Sequence, residues 1–203
     1  MQEPSSATER YTLTHTARRK RYKISFANSP QAIRVSTFFF FGSAVPLGLF
    51  TATVVSRLRF LGVRAAGTYI ALFGGFVASA ALGISALHSW VFSIPDVVSS
   101  SAALVHALYF LSFLFGGVAF AVGFGLLASG VSVTSFFRRL LPAWLVVLGM
   151  VIALAGELSS LSLIWYPASF FLPLTRFGGF VWLIAVAVWL PRRQSSEVPE
   201  GRQ

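Results

Sequence analysis

The chain has 203 residues, of which 56% are hydrophobic and only 11% charged, too little polar surface for a water-soluble domain of this length. Sixteen lysines and arginines against six acidic residues give a net charge of +10, but they cluster in the N-terminal segment and beside apolar runs, which argues against a nucleic-acid-binding domain. No cysteine is present, which excludes disulfides, thiolate metal sites and cysteine nucleophiles.

Residues 1–34 are polar, contain Arg18, Arg19, Lys20, Arg21 and Lys23, and lack helical apolar periodicity. They are expected to form a disordered basic tail whose partners are anionic lipid head groups. The apolar stretch that follows starts too late, and without a small-residue cleavage site, for an ordinary signal peptide. Residues 35–191 then hold five apolar runs, at about 37–56, 68–92, 102–129, 142–166 and 170–190. Each matches the roughly 20 residues a helix needs to cross a bilayer's hydrocarbon core. The expected fold is an all-α, polytopic transmembrane helical bundle with the lipid bilayer as its solvent. Pro46 should kink the first span, and residues 192–203, with Glu197 and Glu200, form a polar C-terminal tail.

Orientation follows from the short loops, because cytoplasmic loops retain Lys and Arg. Arg57, Arg59 and Arg64 mark the first loop as cytoplasmic, Arg138 and Arg139 the third, and Arg192 and Arg193 the C-terminal tail. The second loop, Ser93 to Ser101, carries only Asp96, and the fourth, around Pro167, carries no charge; both read as external. A single crossing by the first span then places the basic N-terminal tail outside. The alternatives are a re-entrant first element broken at Pro46, or a true start downstream of Met1.

Helices in lipid associate mainly through close packing at small residues. Such stripes occur at four-residue intervals: Ala71, Gly75, Ser79 and Gly83 in the second span; Gly117, Ala121 and Gly125 in the third; Gly149, Ala153 and then Glu157 in the fourth. Packing within the chain is favoured over dimerisation. Trp90 and Tyr166, with Trp144 and Trp189 at the opposite ends of the spans, are expected as interfacial anchors.

Ionisable residues inside spans are costly, so each implies a partner or a function. Glu157 and Arg176 lie symmetrically about the turn near Tyr166 and Pro167, at equal depth in a hairpin, and an ion pair is expected between them. His88 and His106 are placed similarly about the second external loop. The four residues are the candidate intramembrane polar cluster. They serve either as packing glue or as a pocket for proton relay, metal ligation or a polar head group. His88 lies off the small-residue face of its helix, which weakens a shared two-histidine site, and no cofactor or metal is expected. No phosphate-loop, H-E-x-x-H or G-x-S-x-G pattern occurs, and the acidic residues are too few for a paired-carboxylate catalyst. No inverted repeat of the kind seen in secondary transporters is visible.

The stretch Phe136-Phe137-Arg138-Arg139-Leu140-Leu141-Pro142-Ala143-Trp144, the later Phe171-Leu172-Pro173-Leu174-Thr175, and a final span bearing Trp182 and ending in Leu190-Pro191-Arg192-Arg193 carry a resemblance. The region from Ala102 to Arg193 is similar to small bacterial integral membrane proteins grouped as domains of unknown function. That resemblance implies a bacterial cytoplasmic membrane and a six-span arrangement, from which this chain departs at its first span. It implies no activity or ligand. The expected function is therefore non-enzymatic, structural or accessory, with protein partners unidentified. A small transport or proton-coupled protein using Glu157, Arg176, His88 and His106 is the alternative.

Overall fold

A computed structural model describes residues 30–190. Among them every regular element is helical: α1 (Pro30–Phe60), α2 (Ala66–Val91), the short α3 (Pro95–Ser100), α4 (Ala102–Phe113), a π-helical segment (Leu114–Ala119), α5 (Phe120–Arg138), α6 (Ala143–Leu158), two 3₁₀ turns (Ser159–Leu163 and Tyr166–Phe170) and α7 (Phe171–Trp189). In hydrocarbon the backbone must satisfy its own hydrogen bonds, and a helix does so within one segment. Five stretches are long and apolar enough to cross a membrane, with α4, the π segment and α5 continuing as one span over Ala102–Arg138. The chain is thus an all-α, multi-pass membrane protein with five spans. The basic cluster Arg18 to Lys23, with its expected anionic-lipid contact, and the C-terminal tail lie outside the described residues.

The spans are longer than hydropathy alone marks them. Residues 30–34, placed in the tail by composition, form the first turns of α1, and Arg34 Nε donates to Ser93 Oγ at 3.3 Å. At about 1.5 Å per residue α1 is roughly 46 Å long, so it reaches beyond the hydrocarbon core or tilts within it. It also runs through Pro46 as one helix, so the first element is not a re-entrant structure broken there. The third span continues from 129 to Arg138 because its hydroxyls bond back along their own helix. Thr134 Oγ1 donates to Gly130 O at 2.7 Å, and Ser129 Oγ to Leu126 O at 3.0 Å. Residues that score as polar are thereby satisfied within the helix. The second loop is not wholly irregular either, since Pro95 opens α3, where its missing N–H costs nothing.

The contacts divide the chain into two compact units. The first comprises the chain up to Gly48 together with Ala78–Phe120. Here the distal half of α2 packs on the proximal half of α1. Ser79 Oγ donates to Ala44 O at 2.7 Å, and Gly83 faces the Phe41 ring and Ala44.

The second unit comprises Leu49–Val77 and the chain from Ala121 onward. Gly75 of α2 lies against Thr51 of α1. An adjacent face of α2, turned by less than about 100° from Gly75, meets α5 through glycines on both sides. A Cβ on Gly74 would lie 2.6 Å from Gly123 O and 2.7 Å from Leu127 N; one on Gly130 would lie 2.7 Å from Ala71 N. Farther along, the Ala121–Gly125 edge of α5 meets Ala153 and Gly156 of α6. Trp182 of α7 is fully buried; its ring stands edge-on to Phe124 at 6.2 Å, and its Nε1 donates to Leu145 O at 3.2 Å. Gly149 makes room for that ring and for Ser132. Trp144 and Trp189 stand edge to face at 5.5 Å, so α6 begins where α7 ends.

Candidate functional site

In the first unit three serines of α2 and α4 form one network. Ser85 and Ser89 stand one turn apart on α2 and both reach Ser112 of α4. Ser85 Oγ donates to Ser112 O at 2.8 Å, Ser89 Oγ lies 2.8 Å from Ser112 Oγ, and Ser112 Oγ donates to Ser85 O at 3.2 Å. Close approach is permitted by Gly116, where a Cβ would collide with Ser85 Oγ. A π segment follows, whose wider turns, in which Phe120 N–H donates to Phe115 O, absorb one extra residue relative to α-helical spacing. Gly116, four residues beyond Ser112, shares its face towards α2, while Gly117, assigned to the packing stripe by four-residue counting, is only half-buried.

His88, half-buried, stacks on Phe115 at 5.6 Å with the rings 18° apart, and its Nδ1 donates to Ile84 O at 2.8 Å. His106 is exposed on α4 and tilts against Phe110 at 6.3 Å. The two imidazoles are thus engaged with different rings. Among the described residues no group of three His, Asp or Glu side chains is placed to hold a metal ion.

Glu157 and Arg176 belong to the second unit. Arg176 is half-buried on α7, whereas Glu157 is exposed on α6. Among the described residues no ion pair joins Glu157 to Arg176; the backbone carbonyl of Glu157 accepts from Ser160 Oγ at 2.6 Å. Helix geometry explains why the expected pair is not formed. A four-residue step advances a helix by roughly 40°. Gly149 and Ala153 are buried, but two such steps carry Glu157 out of their face and beside Leu154 and Leu161, exposed at 62% and 45%. Counting from the turn fixed the expected depth of Glu157 but not the direction in which it faces.

No protein-family model matches this sequence, and neither a curated protein nor a solved structure matches it.

Proposed function

We propose that this chain is a non-catalytic, structural or accessory protein of a bacterial cytoplasmic membrane, whose intramembrane polar side chains serve helix packing. The observation that supports it is the Ser85–Ser89–Ser112 network, in which hydroxyls within two spans are spent on each other and on backbone carbonyls. A group that satisfies its hydrogen bonds across two helices specifies their register. In this reading the arginine-bearing ends of the spans face the cytoplasm.

Proton-coupled transport is the second reading, and the exposed carboxylate of Glu157 within a span favours it, because such a group is costly without a role. The protein reconstituted into liposomes enclosing a pH-sensitive dye, under an imposed pH gradient, separates the two. The accessory reading expects the same proton leak from wild type and from Glu157→Gln. A leak abolished by Glu157→Gln in folded protein would overturn it. Gentle extraction from the native membrane with mass spectrometry of bound small molecules adds a second check: a stoichiometric ligand lost on His106→Ala would also overturn it.

A further inference from the structure

Two helices of the second unit end in the same backbone motif. At the end of α1, Val63 N–H donates to Leu58 O at 3.0 Å and Gly62 N–H to Arg59 O at 3.0 Å. At the end of α5, Leu140 N–H donates to Ser135 O at 3.0 Å and Arg139 N–H to Phe136 O at 3.2 Å. This double bond pattern requires a left-handed residue just past the helix. Gly62 takes that position at φ 81° and Arg139 at φ 52°. Glycine adopts the conformation freely, whereas an L side chain there is disfavoured. Arg139 is the one non-glycine residue at positive φ among those described, so the chain keeps an arginine at a position where glycine is the relaxed choice.

The two turns are also tied together, because Arg138 Nη2 donates to Gly62 O at 3.2 Å. Arg59 lies over the Tyr69 ring, 5.6 Å from its centroid. Arg59, Arg64, Arg138 and Arg139 are all exposed. The only described carboxylate of this unit, Glu157, stands roughly 20 Å along α6 from its start, at about 1.5 Å per residue. Beside these arginines Phe60 and Phe137 are each 77% exposed, as side chains are that sit among lipid at the interface. Planar guanidinium groups bind phosphate oxygens in pairs.

We propose that Arg59, Arg64, Arg138 and Arg139 form a binding site for the phosphate head group of an anionic phospholipid, and that Arg139 is held in its strained conformation to complete it. The exposed aromatic residues at the same end select a phosphate that arrives on an acyl chain over a soluble one.

The test uses the full chain, purified and reconstituted in mixed phosphatidylcholine and phosphatidylglycerol nanodiscs, with native mass spectrometry of the lipids it retains. Arg139→Gly is expected to raise the thermal midpoint in phosphatidylcholine alone, because it relieves the left-handed strain. It is also expected to lower phosphatidylglycerol retention about fivefold, the equivalent of ~1 kcal/mol per basic residue at a charged surface. Adding Arg138→Gln should deepen the loss by about the same factor. Arg34→Gln, in the other unit, removes the same net charge and should leave retention near wild type. Equal loss in Arg34→Gln and Arg139→Gly would overturn the site, as would a lowered midpoint in Arg139→Gly. Displacement of the retained lipid by millimolar inorganic phosphate would overturn the lipid assignment in favour of a soluble phosphate.

Discussion

Replacing Gly130 by alanine tests whether α2 and α5 are held by backbone proximity. The new Cβ would sit 2.7 Å from Ala71 N and 2.8 Å from Ala71 Cβ, and against Gly67 O. Ordinary carbon contacts fall at about 3.5–4.0 Å, so α2 must withdraw by roughly 1 Å. None of these atoms belongs to a side chain that can rotate away. Overpacking of this kind costs about 1–3 kcal/mol, offset by up to ~1 kcal/mol from alanine's better helix propensity. Gly42 in α1 is the matched control, since a Cβ there meets nothing within 4 Å; Gly42→Ala should gain up to ~1 kcal/mol. Reversible unfolding in mixed micelles of detergent and denaturant would measure both. The expected result is that Gly130→Ala unfolds more easily than wild type and Gly42→Ala less easily, a gap of about 1–3 kcal/mol. Gly130→Ala as stable as Gly42→Ala would refute the reasoning, because the helices would then have room that the structure denies them.

Glu157→Leu should fold and insert at least as well as wild type, because the side chain is exposed beside Leu154 and Leu161; a loss of monodisperse protein in size-exclusion chromatography would mean that the carboxylate has a structural partner. Ser112→Ala removes the shared partner of Ser85 and Ser89 and should lower stability by about 1 kcal/mol, given that hydrogen bonds between membrane helices average ~0.6 kcal/mol each; an unchanged unfolding midpoint would remove the network from the packing energy. Trp182→Phe keeps an aromatic ring against Phe124 but loses the bond to Leu145 O and some buried volume. It should cost about 2 kcal/mol, and near-ultraviolet circular dichroism with thermal melting would report it.

The spans were legible because lipid sets a hard requirement, roughly 20 apolar residues per crossing, and nothing in these five runs obscures it. Their ends were less so. Ser129 and Thr134 count as polar in any hydropathy window, yet each donates back into its own helix. The small residues pointed to close contact without naming partners: Gly75 and Gly83 turn towards α1, whereas Gly74 and Gly130, off the four-residue stripes, and Gly67, one step before the expected start of the second span, join α2 to α5. Within the candidate cluster, depth could be counted along the chain but facing could not. A drift of about 40° per four residues was enough to turn Glu157 outward. Ser85 and Ser89 carried a weak signal, a hydroxyl pair one turn apart on an apolar span. The left-handed backbone of Arg139 carried none, because composition alone does not distinguish an arginine in a helix from one just past its end.

The wide turn between Leu114 and Ala119 has a consequence for how this chain tolerates changes in length. A residue deleted from an ordinary α-helix rotates everything beyond it by about 100°, exchanging lipid-facing and buried side chains over the rest of the span. At the π segment the extra residue is already looped into the turn, so losing one there restores plain α-helical spacing and leaves the contact faces of α4 and α5 where they were. The third span therefore contains one place where its sequence can shorten by a residue without re-aiming Ser112 on one side or Gly125 and Gly130 on the other.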